Sequence, residues 1–339
     1  MADMESGHRT LFGSTNSGYS ALTLLTRLAQ RCPDCADWVG KALHGRVEIL
    51  SEIALDVAIE TGDLMGLKLA EELKNHGSAE VVARVQDLCD SDPYLLAMSL
   101  RDVARVSTES RLVGLRQRRD SLDVEEKFDY AISANNLGLR LWYLDASDAG
   151  LYAVEEAVDV CLELVEVDPD RFLPELARSL NAFSTLLAAT GRTEEAVAAL
   201  QESLKILRNF TASNQEEFLP DLAMALNNLG NRLNTLSRHE ETLLVVQEAV
   251  AIFRKVSFPK TSPLLSFFAT ALANLGNALS QAGRFQDALQ VTQEAVDVRR
   301  LLVEHNPDAF LPDLAHGLQN LARRLGSLGL SRGRAESRA

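Results

Sequence analysis

Residues 271–300, ALANLGNALSQAGRFQDALQVTQEAVDVRR, predict two amphipathic helices joined by a tight turn at Ala282–Gly283–Arg284. On both sides of this turn, large apolar residues recur at the three- and four-residue spacing of a helical face. Small residues stand where two such helices would touch, namely Gly276, Ala288 and Ala295. The stretch therefore predicts a helical hairpin with closely packed helices, in which Gly276 and Ala288 are contact points.

The hairpin recurs along the chain with a step of 46 residues. Prolines in FLPEL and FLPDL, each followed by an acid, suit the first turn of the first helix of a unit. A fixed step with two helices per unit is typical of a solenoid, in which each hairpin buries its apolar face against its neighbours. The first-helix motifs are ANNLGLRL, LNAFSTLL, LNNLGNRL, LANLGNAL and LQNLARRL, beginning at Ala134, Leu180, Leu226, Leu272 and Leu318, and the second-helix motifs begin at Glu155, Gln201, Gln247 and Gln293.

We expect an all-α fold in four parts. Residues 1–20 are polar and predicted flexible, residues 21–120 form an irregular helical N-terminal region, and residues 331–339 form a flexible basic tail. Residues 121–330 form about 4.5 repeats, the last helix of which, about 313–328, has no partner and caps the array. In the N-terminal region we predict helices over 21–31, 36–44, 46–60, 64–75, 79–89 and 94–119, with breaks at Gly62 and Gly77.

Composition excludes several classes of function. The net charge of −14 argues against nucleic acid as a general partner, since that needs a basic face. The first residues, MADMESGHRT, do not predict a secretory signal, and no apolar run is long enough to predict a membrane span. Four cysteines in 339 residues suit reduced thiols in the cytoplasm.

The repeats resemble the tetratricopeptide family, whose signature places a large residue, Leu–Gly and another large residue in the first helix, Gly at the turn, and two Ala in the second. The resemblance covers about 200 residues, and the lengthened step is similar to that of kinesin light chain arrays. It implies a right-handed solenoid whose concave surface, lined by first helices, holds a protein or peptide without a cofactor. The positions that carry it are Leu272, Leu275, Gly276, Leu279, Gly283, Phe285, Ala288 and Ala295 in the fourth unit, Leu226, Leu229, Gly230, Leu233, Ser237, Thr242 and Ala249 in the third, Leu180, Phe183, Ser184, Leu187, Gly191, Ala196 and Ser203 in the second, and Ala134, Leu137, Gly138, Leu141, Gly150 and Ala157 in the first.

Asparagine recurs in the first helices and marks the candidate peptide-binding residues. Asparagine is a poor residue in the middle of a helix, so its repetition needs a reason. A side-chain amide can bond to the backbone of an extended peptide whatever the peptide's side chains are. It can equally bond to the neighbouring helix, and the two interpretations stay open. The residues are Asn135, Asn136, Asn181, Asn227, Asn228, Asn231, Asn274, Asn277 and Asn320.

Arginines offer a second groove chemistry, a clamp for a carboxylate. Arg178, Arg232, Arg323 and Arg324 are available, but of these four only Arg232 and Arg324, two steps apart, share a position of the repeat. We therefore favour an amide-lined groove to which Arg178 and Arg323 contribute. For a separate cluster, RLVGLRQRR at 111–119, we favour a solvated helix face over a docking surface for an acidic partner or for the acidic solenoid of the same chain.

Three functions compete. The first is a non-catalytic adaptor that binds a protein or peptide, with no nucleic acid, membrane, cofactor or metal. The second is a regulatory subunit or fragment of a larger signalling system with an NTPase or protease partner. The third is a redox or metal protein using Cys32 and Cys35, but a lone CxxC without a preceding strand or a second ligand pair is a weak motif. The six scattered histidines and the absence of a phosphate loop predict no catalytic site.

Overall fold

The computed structural model describes residues 15–31, 36–61, 63–91, 101–213, 216–256, 262, 264–305 and 307–336. The chain divides into two compact units, residues 1–160 and 161–339. The predicted turn at Cys32–Cys35 and the extreme ends of the chain lie outside the described residues. Within those residues, every regular element is a helix, and none of the helices is both long and apolar enough to cross a membrane.

In the first unit, the helices between residues 15 and 117 pack around one apolar core. Val39, Leu43, Leu69 and Leu73 are buried there because they fall on one face of their helices. The helices are α1 Thr15–Arg31, α2 Ala36–Leu43, α3 Val47–Thr61, α4 Asp63–His76, α5 Ala79–Ser91, α6 Arg101–Gln117, α7 Val124–Tyr143 and α8 Ser147–Val167, the last of which continues past the division at residue 160. The predicted break at Gly77 is confirmed, because α4 ends at His76, whereas the predicted break at Gly62 lies outside the described residues.

The second unit contains three of the four hairpins predicted from the 46-residue step, together with the last first helix. Helical hairpins stack so that each buries apolar residues against the next, and one continuous core results. First and second helices alternate as α9 Pro169–Ala189, α10 Thr193–Ala212, α11 Leu219–Thr235, α12 His239–Lys255, α13 Leu264–Gln281, α14 Phe285–His305 and α15 Pro307–Glu336.

A left-handed residue ends the first helix of each hairpin, and these residues keep the 46-residue step. Asp145, Gly191, Ser237 and Gly283 have φ of 58°, 82°, 59° and 75°. In the last of these turns, the Arg284 N–H donates to Leu279 O at 2.8 Å, the bond of a Schellman cap. The sequence assignment of Gly150 to the turn of the first unit is wrong, because Gly150 lies within α8 and Asp145 makes the turn.

Glycines in the first helices allow the two helices of a hairpin to approach closely. A Cβ at Gly276 would lie 2.6 Å from Thr292 Oγ1 and 3.5 Å from Ala288 O. A Cβ at Gly138 would lie 2.7 Å from Gly150 O, so Gly150 takes the close-packing place that Ala288 holds in the fourth unit. The predicted contact between Gly276 and Ala288 is thereby confirmed.

Several helices begin or end beyond their predicted bounds. Helix α1 begins at Thr15 instead of Ala21, because Tyr19 packs against the core and anchors an earlier turn. Helix α9 begins five residues before Pro174, since Asp168 accepts from Arg171 N at 3.2 Å and caps a helix with Pro169 in its first turn. Helix α15 runs from Pro307 to Glu336, beyond both ends of the predicted helix at about 313–328. The flexibility of the chain ends and the domain boundary at residue 120 stay predictions.

Replacing Ala288 with leucine is expected to destabilise the solenoid by about 1–3 kcal/mol, because Ala288 is fully buried and the added atoms would force the helices apart. Urea unfolding monitored by circular dichroism would measure the loss. Ala198→Leu on the exposed side of α10 is the matched control and should change stability by less than about 0.5 kcal/mol. Equal midpoints for the two variants would contradict the assigned packing.

Candidate functional site

The first helices of the second unit carry a series of side-chain amides, here called the amide row. Most of its members are half-buried, whereas Asn227 is buried and Asn234 and Gln281 are exposed. The row lies on α9, α11, α13 and α15 and comprises Asn181, Asn227, Asn228, Asn231, Asn234, Asn274, Asn277, Gln281 and Asn320.

Amides of the row bond to one another across neighbouring first helices. Asn228 Nδ2 donates to Asn181 Oδ1 at 2.9 Å, and Asn274 Nδ2 donates to Asn227 Oδ1 at 2.9 Å. Gln281 Nε2 donates to Asn234 Oδ1 at 3.1 Å in the same sense. Each bond connects residues that are 47 positions apart and therefore lie on successive first helices. The amides thus bond to the neighbouring helix, which is one of the two interpretations of the asparagines.

The same bonds leave hydrogen-bonding capacity in the row. An amide has two N–H donors and a carbonyl oxygen with two lone pairs. The bonds from Asn228 and Asn274 use one N–H of each, so one donor and the carbonyl oxygen stay available at two half-buried positions. Each such amide is held in place by one contact and can present the other groups to a ligand.

A cavity of about 440 Å³ lies beside the C-terminal part of the row, between α11, α13 and α15. Arg324 is only 7% exposed, donates to Asn277 Oδ1, and has a buried Nε without a hydrogen-bond partner. Burial lowers the pKa of Arg324, and the neighbouring charge of Arg323 adds to that shift. An anionic group in the cavity would offset both the cost of burying the charge of Arg324 and its repulsion by Arg323. The cavity is lined by Asn234, Asn277, Ser280, Gln281, Arg323 and Arg324.

Arg178 is engaged with acidic residues of its own unit. Its Nε donates to Asp221 Oδ2 at 3.0 Å, and Nη1 lies 3.3 Å from Glu175 Oε2. Burial raises the pKa of Glu175, while Arg178 opposes that shift. The sequence did not indicate these partners, because Asp221 lies on the next first helix. Arg323, also predicted for the groove, donates to Asn320 Oδ1 at 2.9 Å.

Two predicted groove residues, Asn135 and Asn136, belong to α7 in the first unit. Asn135 is 8% exposed, and its Oδ1 is buried without a hydrogen-bond donor. Asn136 is half-buried. Their role in ligand binding stays a prediction.

The arginines at 111–119 dock onto acidic residues of their own unit. Arg111 Nη2 lies 2.8 Å from Asp129 Oδ2, and Arg118 Nη1 lies 3.0 Å from Glu126 Oε1. Arg116 donates to Glu156, which also accepts from the hydroxyl of the fully buried Tyr130 at 3.0 Å. The cluster therefore holds α6 against α7 and α8, which is the docking alternative of the sequence analysis.

Cys161 is a buried free thiol, and its Sγ lies 3.7 Å from Ser179 Oγ. Burial raises the pKa of Cys161 to about 12, so the thiolate that a nucleophile requires does not form near neutral pH. Sequence reasoning missed one other cluster, in which His44, Glu72 and His76 meet. Its only signal in the sequence was the four-residue spacing of Glu72 and His76, which places both side chains on one helical face.

Residues 176–209, 222–257 and 268–308 match the family model described as tetratricopeptide repeat. These units are tetratricopeptide repeats. Their 46-residue step exceeds the usual length of about 34 residues. The resemblance inferred from the first-helix glycines and second-helix alanines is confirmed, and so is the solenoid architecture.

Several solved structures are similar to this chain at low sequence identity. The putative kinesin light chain of Podosopora anserina, with nearly identical TPR-like repeats, is 16% identical, and the match covers 70% of this chain and 98% of that one at a TM-score of 0.44. BtubC (BKLC) from P. vanneervenii is 18% identical over 85% of this chain and 90% of that one, with a TM-score of 0.43. A Rap protein complexed with Competence and Sporulation Factor is 12% identical, and the match covers 93% of this chain and 86% of that one at a TM-score of 0.47. No curated protein matches the chain.

Tetratricopeptide solenoids are typically non-catalytic scaffolds for protein interactions, because stacked repeats present an extended surface to a partner. In this chain the amide row occupies the first helices, which line the binding surface in that family. The family therefore supports a protein or peptide as the class of ligand.

Proposed function

We propose that this protein is a non-catalytic adaptor that binds an extended peptide segment of a partner protein along the amide row. The observation that carries the proposal is the series of half-buried amides on α9, α11, α13 and α15. Asn228 and Asn274 are each oriented by one bond to a neighbouring helix and keep a donor and an acceptor for a ligand. A peptide backbone offers the complementary donors and acceptors at every residue.

The cavity beside Arg324 supports an acidic group on the ligand. Arg324 has a buried Nε without a partner, and no carboxylate pairs with Arg324 among the ion pairs of the described residues. A carboxylate entering from the peptide would accept charge-assisted hydrogen bonds there. The ligand is thus expected to combine an extended backbone with an acidic side chain or a terminal carboxylate.

The described side chains favour binding over catalysis. Cys161 is a buried thiol of the second unit, and it is protonated near neutral pH because burial raises its pKa to about 12. We further propose a cytoplasmic location, for which the sparse cysteines are the support. The amide row needs neither a cofactor nor a metal for the binding that we propose.

The test begins with a displayed library of unstructured peptides selected on the full chain, and the tightest peptide is synthesised as the probe. Its Kd is measured by calorimetry for the wild type and for Asn228→Ala/Asn274→Ala. We expect the double variant to weaken binding at least tenfold, since two oriented hydrogen-bonding groups are lost, each contributing about 1 kcal/mol.

The matched control is Asn209→Ala, which removes an exposed amide from the second helix α10 and should leave the Kd unchanged. Melting temperatures of all variants are recorded, because the row also joins helices. A double variant that is folded at the assay temperature and binds with wild-type affinity would remove the amide row from the proposal. Equal losses for the double variant and the control would do the same.

A further inference from the structure

Three potential metal ligands meet in the first unit, where the turn after α2 approaches the last turn of α4. His44 Nδ1 lies 3.4 Å from Glu72 Oε2, and the rings of His44 and His76 lie 4.8 Å apart with an interplanar angle of 84°. One ligand atom from each of the three residues lies within 4.8 Å of the others. Among the described residues this is the one group that combines histidine and carboxylate in this way.

The fold brings the three residues together through two local features. Glu72 and His76 are four residues apart on α4, so both side chains project from the same face of its C-terminal end. His44 follows directly after α2, and Gly45 turns the chain with φ of 67°. Leu43 and Leu73, the neighbours of His44 and Glu72 in the sequence, are buried in the core and hold both elements in place.

The separations suit a small tetrahedral ion. Bonds of about 2.0–2.1 Å at a tetrahedral centre place two ligand atoms about 3.3 Å apart. The 3.4 Å between His44 Nδ1 and Glu72 Oε2 is therefore the distance of two ligands that share one ion. The ligand atoms that lie furthest apart, at up to 4.8 Å, would have to approach each other by about 1 Å or more. The exposed rings of His44 and His76 can make this change by rotation.

The Glu72 carboxylate provides a second observation. Its Oε2 is buried and accepts no hydrogen bond of good geometry, although the side chain as a whole is 13% exposed. A buried carboxylate oxygen without a donor is costly, and a cation bound between it and the two rings would remove that cost. A proton on His44 would be the alternative, and would leave His76 outside the interaction.

We propose that His44, Glu72 and His76 form a binding site for a divalent transition-metal ion of the zinc class. Two imidazoles and one carboxylate favour Zn²⁺ over Mg²⁺ or Ca²⁺, which prefer an all-oxygen ligand set. Three protein ligands leave the fourth tetrahedral position to water or to a group from a partner. A bound ion would tie the turn after α2 to the end of α4.

The experiment titrates the full chain with Co²⁺, followed by competition with Zn²⁺. It uses a Cys32→Ser/Cys35→Ser background, so that the CxxC thiols cannot supply ligands. Tetrahedral Co²⁺ absorbs strongly in the visible region, and thiolate ligands add a near-ultraviolet band. We expect one ion per chain without that band, and at least about tenfold weaker binding in His44→Gln and in His76→Gln.

The matched control is His239→Gln, which removes an exposed histidine from α12 in the other unit and should bind as the background does. Circular dichroism of each metal-free variant establishes that it is folded, as expected for exposed histidines. The proposal is overturned if the background binds no ion at micromolar concentration. It is overturned equally if His44→Gln and His76→Gln bind like the control, or if metal binding requires Cys32 and Cys35.

Discussion

Replacing Glu156 with alanine is expected to lower the free energy of unfolding by about 2–4 kcal/mol, measured by urea denaturation at neutral pH. Glu156 is 9% exposed and is the shared acceptor for Arg116 and the fully buried Tyr130 hydroxyl. Removing it leaves a cation and a hydroxyl without their partner. We place the cost below that of a fully buried ion pair, because the side chain of Arg116 is 36% exposed and solvent takes up part of its charge.

The pKa values of the partners agree with this account. Burial is the largest single influence on the pKa of Arg116 and lowers it, but the hydrogen bonds and charges of Glu156 and Tyr130 together outweigh burial, so the net shift is upward. Burial is also the main reason that the pKa of Tyr130 is raised. Glu156 contributes to raising the pKa of both groups, as expected for a carboxylate that contacts both of them.

Two comparison variants make the Glu156 prediction specific. Glu156→Gln keeps an acceptor of the same shape and should recover part of the loss. Asp159→Ala removes an exposed acid one turn further along α8 and should change stability by less than about 0.5 kcal/mol. If Glu156→Ala unfolds at the same urea concentration as Asp159→Ala, the contacts of Arg116 and Tyr130 do not contribute as described.

Replacing Gly230 with alanine is expected to destabilise the solenoid by about 2–3 kcal/mol, although the same change in an open helix is stabilising. A Cβ at Gly230 would lie 2.3 Å from Val246 Cγ1 on the facing helix α12. Valine cannot rotate that methyl away freely, because its branched side chain has one preferred conformation in a helix. The helices of the hairpin would have to separate.

Gly114 on α6 is the matched control, since a Cβ there would meet nothing within 4 Å. Gly114→Ala should therefore stabilise by about 0.5–1 kcal/mol. The double variant Gly230→Ala/Val246→Ala tests the cause, because the methyl group that clashes is absent from it. Its loss of stability should be smaller than the sum of the losses in the two single variants by at least about 1 kcal/mol. Additive costs, or a stabilising effect of Gly230→Ala, would show that the two helices do not approach as closely as described.

The repeat was predictable because each unit solves one packing problem with the same few residues. Gly276 and Ala288 were placed at helix contacts from their spacing alone, and the structure confirms both. The helix break at Gly77 was equally predictable, since glycine at a helix end is a local signal. The residue that makes each turn was harder to predict. Asp145 adopts the left-handed conformation that was assigned to Gly150, because the register of the repeat outweighs the preference for glycine.

Contacts between distant residues were beyond the reach of sequence reasoning. Nothing near Arg178 indicated that Asp221, on the next first helix, would pair with it. The approach of His44 to Glu72 and His76 depends on how two short helices end, which no repeat predicts. The asparagines were found because they recur, but whether they bond to a helix or to a ligand depends on side-chain geometry, and Asn228 has groups for both.

The amide-to-amide bonds between adjacent first helices also have a consequence for the partner. Packed helices lie about 8–10 Å apart, whereas an extended chain advances about 3.3 Å per residue. A peptide lying across α9, α11 and α13 would therefore meet an equivalent amide at about every third of its own residues. The solenoid would therefore favour ligands in which about every third residue is suited to an amide of the row, and the residues between these would be free to vary.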